Sequence, residues 1–163
     1  MKNSMKNNGL LSAAFLCGIL CAGAGMLTRF WAGSPYGGLH QMGISEIVPP
    51  VWLMSLLWLL WYFALGAVCG AVLAGHGACS VAAWRGTVFF VLMLGLGLVW
   101  YPLFFGRQAV GLCLLITVLL LILCVLCALN WQQLSLVAGA VIYLHGLWLV
   151  YMLILQVACV FQT

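Results

Sequence analysis

The side chains from which acid–base, metal or thiol chemistry could be built are few: three histidines, eight cysteines and a single acidic residue, Glu46. Hydrolytic and metal-dependent enzymes need paired carboxylates, clustered ligands or an activated nucleophile. One glutamate cannot form a carboxylate pair, and His40, His76 and His145 are far apart with no metal-ligand spacing, so no metal site is expected. No glycine-rich loop is arranged to cradle phosphate, and no run of basic residues indicates nucleic acid. Most cysteines lie inside apolar runs, where cysteine is a small hydrophobe. Cys124 and Cys127 have redox-motif spacing but no activating charge, and read as filler; Cys79, between segments, is the one thiol open to chemistry.

What the sequence does hold is aromatic surface. The stretch IVPPVWLMSLLWLLWY at 47–62 opens on Pro49-Pro50 and carries Trp52, Trp58, Trp61 and Tyr62. At a helical 100° per residue, Trp58, Trp61 and Tyr62 share a sector of about 100°, whereas Trp52 points elsewhere and lies near the end of the run. Trp52 is expected in the interfacial aromatic belt. Ala138, Val141, His145, Trp148, Met152, Leu155 and Cys159 recur at three- and four-residue steps near the C-terminus, with Gln156 beside them. Polar side chains in an apolar helix face inward, so His145 and Trp148 line either a core contact or a cavity. Indole offers a large polarizable face and one N–H donor, which suits flat apolar ligands.

The elements that must position these residues follow from composition. The sequence is 67% hydrophobic and 4% charged, against roughly a quarter charged in a soluble domain. About 20 apolar residues cross a bilayer, and five such runs occur, at about 9–32, 51–74, 81–105, 108–129 and 134–161. An all-α bundle of five transmembrane helices in one domain is expected, with short turns making neighbours antiparallel and residues 33–50 as a loop over one end. The first run resembles a secretory signal after Lys2 and Lys6, but it continues to Trp31 and is expected to stay as a helix. Lys2, Lys6 and Arg85 on one side against Arg29 and Arg107 on the other favour an N-terminus inside by one charge. Two series of small residues, Ala14, Gly18, Ala22 and Gly66, Gly70, Ala74, allow close helix approach, either within the bundle or in a homodimer.

Three groups of residues, in order, resemble the TspO/translocator protein family of tryptophan-rich sensory proteins. Pro49-Pro50, Trp58, Tyr62 and Gly66 are in register with its second helix. Trp100-Tyr101-Pro102-Leu103-Phe104-Phe105-Gly106 matches the signature that ends its third helix, and Ala138, Trp148 and Leu155 match its fifth. Tyr36 and Leu39 fit a Tyr-x-x-Leu pattern in the first loop. The departures are specific: Leu144-His145 stands for the family's Pro-Tyr, Gln156 for an asparagine, Gly97 for another asparagine, and Met152 for a pocket alanine.

The resemblance implies a multi-pass protein of a bacterial cell envelope with a pocket between helices, open toward the first loop. The pocket takes porphyrins and other flat aromatic molecules, with no cofactor required and porphyrin or haem as ligand. It implies a ligand-binding set of Tyr36, Leu39, Pro49, Pro50, Trp58, Tyr62, Gly97, Trp100, Phe104, Ala138, His145, Trp148 and Met152. Trp58 and Trp148 fall at the positions tied to light-dependent porphyrin breakdown, where a stacked indole can give an electron to an excited tetrapyrrole. A receptor, sensor or transporter follows, with at most slow photochemical turnover. Two alternatives stand beside it: a small haemoprotein with His145 on iron, and a structural membrane protein in which the tryptophans only pack.

Overall fold

The computed structural model describes residues 2–32, 50–76 and 80–162. Among these it holds five α-helices, α1 (Lys2–Ala32), α2 (Val51–His76), α3 (Val81–Tyr101), α4 (Val110–Trp131) and α5 (Leu136–Gln162), and a π-helical turn, Pro102–Gly106, that continues α3. All five helices are long and apolar enough to cross a membrane. In hydrocarbon every backbone group must be satisfied within the segment, which makes a helix the only open solution for such runs. The protein is an all-α integral membrane bundle, as its hydropathy indicates. The first loop expected as a lid lies outside the described residues, and with it Tyr36, Leu39, Pro49 and Cys79.

The ends of the helices have local causes. Ser80 Oγ accepts a hydrogen bond from the Ala83 amide at 3.3 Å, and Ser135 Oγ accepts one from Ala138 at 3.3 Å, so α3 and α5 each begin on a serine cap. The third run departs from expectation at its end. Pro102 has no N–H to donate to the preceding turn, and the backbone widens there, with the Arg107 amide donating to the Pro102 carbonyl at 3.1 Å. Gln108 then takes φ 52°, a left-handed value outside glycine's usual monopoly, to reverse the chain. At the other end of α4, Trp131 belongs to the helix rather than to the turn. Its ring is fully buried, stacked on Phe90 at 5.4 Å and seated over Gly86, where a Cβ would collide with the indole.

The helices group into two parts. The most extensive contact in the molecule joins α1 to α2, and the next ones join α4 to α5 and α3 to α4; contacts of α2 with α3 and α5 are sparse. A hairpin therefore leans on a three-helix unit. The hairpin closes through the small-residue series. A Cβ on Gly66 would strike the Cys17 carbonyl, and one on Gly70 the Ala13 carbonyl. Gly66 and Gly70 are thus used within the chain.

Polar links tie the three-helix unit together. Gln156 Nε2 donates to Thr117 Oγ1 at 2.9 Å and to the Met152 carbonyl at 3.1 Å, with both side chains buried. Cys124 Sγ donates to the Ile142 carbonyl on α5 at 3.1 Å, and Cys127 Sγ to the Gly86 carbonyl on α3 at 3.4 Å. The two thiols face different helices and act as small packing residues.

Candidate functional site

The site lies on the seam between hairpin and three-helix unit. A cavity of about 150 Å³ opens there, walled on one side by Trp58, Trp61 and Tyr62 of α2. Opposite stand Gly97 and Trp100 of α3, Thr117 of α4, and His145, Trp148 and Met152 of α5. The helical spacing of 58, 61 and 62 turns all three rings to one side, and the α5 stripe turns His145, Trp148 and Met152 to face them. The lining is almost wholly apolar.

Trp58 is the centre of the aromatic contacts. It stacks on Trp100 at 6.3 Å and 19°, and meets Trp148 edge-on at 6.1 Å and 74°. Tyr101 lies edge-on to it at 5.2 Å, and Tyr62 lies at 5.9 Å. Offset and edge-to-face pairs at such separations each contribute about 0.5–1.5 kcal/mol beyond burial. Trp100 Nε1 is nonetheless buried, and among the described residues it has no hydrogen-bond partner.

Trp61 differs from Trp100. Its Nε1 donates to His145 Nδ1 at 2.6 Å, with the rings stacked at 6.0 Å and 28°. Because Nδ1 accepts, the imidazole proton sits on Nε2. This is a polar link across the seam, so His145 makes a contact within the bundle and also lines the cavity. It also bears on metal chemistry. A histidine that ligates iron donates its second ring N–H to an acceptor, and an indole N–H can only donate. No group of three or more metal-ligating side chains occurs among the described residues.

Of the residues expected in a ligand site, Trp58, Tyr62, Gly97, Trp100, His145, Trp148 and Met152 are brought together around the cavity. Phe104 is not on its wall; it is buried behind Trp100, stacked at 4.9 Å. Ala138 is displaced further. It lines a second hollow, at the far end of the bundle, with Leu10, His76 and Ser135, because α5 starts there and Ala138 is one turn from its cap. Pro50 is exposed just ahead of α2. Met152 fills space where a smaller side chain would leave room, and it is buried.

Sequence reasoning placed Trp61 on the right face but not in the site, and it missed Thr117, Phe90 and Met93, which also line the cavity. Thr117 had a signal: it is the one hydroxyl in the sequence of α4. Phe90 and Met93 had none, since an apolar residue in an apolar helix does not announce its neighbour.

Comparison with known proteins follows this geometry. Searches of curated proteins and of solved structures each returned no match. Residues 13–161, nearly the whole sequence, match the TspO/MBR family. With five membrane-spanning helices, an aromatic cavity between them and this match over almost its full length, the chain belongs to the TspO/MBR family, a multi-pass membrane sensor or transporter of the TspO kind.

Proposed function

We propose that the protein binds tetrapyrroles, porphyrin foremost, and other flat apolar molecules in the seam cavity, acting as a receptor or carrier within the membrane. The observation that carries this reading is the cluster around Trp58. Trp58, Trp100, Trp148 and Tyr62 are held stacked, tilted or edge-on about one apolar space, which is the surface a planar conjugated ring prefers. At about 150 Å³ the space is below the roughly 300–1,000 Å³ of a drug-sized site. A tetrapyrrole therefore enters by parting the hairpin from the three-helix unit, where the contacts between helices are sparsest. Trp58 and Trp148 are the indoles we assign to light-driven electron donation to the bound ring.

The test is a porphyrin titration against tryptophan fluorescence in detergent, in darkness and under illumination. Saturable quenching is expected, with slow loss of the porphyrin absorption only in light. Absence of quenching at saturating porphyrin would overturn the reading and leave a packing role for the tryptophans. The haem alternative is opposed by the hydrogen-bond polarity at His145. A haem-loaded sample is expected to show the same Soret band in His145→Ala as in the parent.

A further inference from the structure

The Trp61–His145 hydrogen bond joins an oxidisable ring on the cavity wall to a base. Trp58 and Trp100 lack this: among the described residues neither Nε1 meets a base, so on losing an electron each would keep its proton as a radical cation. Removing an electron from indole makes its N–H far more acidic, and a neutral imidazole nitrogen is a competent acceptor. The separation of 2.6 Å is within the 2.6–3.2 Å reach required of a general base.

We propose that Trp61 and His145 form a further electron donor for a photoexcited tetrapyrrole in the cavity, beside Trp58 and Trp148 and distinguished from them by coupling to a proton. This rests on the reading that such a ring occupies the seam. The excited tetrapyrrole takes one electron from Trp61 and becomes a radical anion. In the same event the Trp61 Nε1–H bond breaks and the proton passes to His145 Nδ1. The products are a neutral tryptophanyl radical and an imidazolium protonated on both nitrogens. One electron and one proton leave Trp61, one electron reaches the ligand, and one proton reaches His145. Return of the electron must then wait for return of the proton, so the separated pair outlives any formed at Trp58 or Trp100. His145 is thus the base of the reaction, and the short hydrogen bond has a use beyond tying two helices together.

The experiment is flash photolysis of the purified protein loaded with a metal-free porphyrin, read by transient visible absorption, which distinguishes the neutral tryptophanyl radical from its cation. The parent protein is expected to form the neutral radical, more slowly in D2O, and Trp61→Phe to lose that signal. His145→Gln retains an acceptor for Trp61 but no base. At saturating porphyrin, its charge-separated lifetime is expected to fall on the order of tenfold or more, whatever the change in affinity from altering a cavity-lining residue. His145→Asn, with a shorter side chain, is expected to behave alike, and porphyrin binding reports that either variant is folded. Equal lifetimes and the same radical form in the parent and His145→Gln would overturn the proposal while leaving porphyrin binding standing. A parent protein that neither binds nor quenches porphyrin removes the oxidant and overturns both.

Discussion

Trp58 packs against four rings, of which Tyr62, Trp100 and Trp148 share with it the wall on which a flat ligand would stack. Replacing it by phenylalanine keeps an aromatic there but removes about half the face. Porphyrin affinity is expected to fall roughly tenfold, about 1.4 kcal/mol, and Trp148→Phe is expected to weaken it in the same direction; both are read from fluorescence titration. The buried Gln156–Thr117 pair makes a different prediction. Thr117→Val strips one partner from a buried amide and is expected to destabilise the protein by about 1 kcal/mol in detergent unfolding. The double variant Thr117→Val with Gln156→Leu is expected to recover part of that, since no orphaned polar group remains. At this scale the sequence was partly legible. Angular counting on one helix collected Trp58, Trp61 and Tyr62, and it kept Trp52, now two-thirds exposed, apart from them. The bond from Trp61 to His145 was not legible, because periodicity says which side of a helix a residue occupies and nothing about which helix stands opposite.

Helices α1 and α2 meet backbone to backbone at Gly66 and Gly70. A methyl group at either site has no room, so Gly66→Ala or Gly70→Ala is expected to cost about 1–3 kcal/mol of stability, read by thermal unfolding, with a loss of porphyrin binding if the hairpin shifts. At the reversal after the π-turn, Gln108 holds φ 52°. Gln108→Val is expected to cost about 1–2 kcal/mol there, and Gln108→Gly to be tolerated. All five spans could be read from hydropathy alone, since length and apolarity suffice for a membrane helix. Their ends could not. Trp131, flanked by Asn130 and Gln132, looks like part of a turn until Gly86 and Phe90 are seen to receive it. Pro102 was visible as a helix breaker, yet the wider turn it makes depends on the carbonyls around it. The glycine series showed that a close approach exists, and only the fold showed that it is internal.

As a whole, the molecule is a tight hairpin resting on a tight triplet, with the cavity on the loosest boundary between them. Ligand entry is expected to widen that boundary. Probes carried by non-natural residues at the exposed positions Leu60 of α2 and Val150 of α5 are expected to move apart when porphyrin saturates the protein. Probes placed within the triplet, on Val91 of α3 and Ile122 of α4, both exposed, are expected to hold their distance. The same division orders events during synthesis. Both helices of the hairpin precede α3 in the sequence, whereas the cavity needs His145 and Trp148 from α5. A nascent chain halted before Leu136 therefore lacks the α5 wall of the cavity, and that wall is supplied only once α5 has been made.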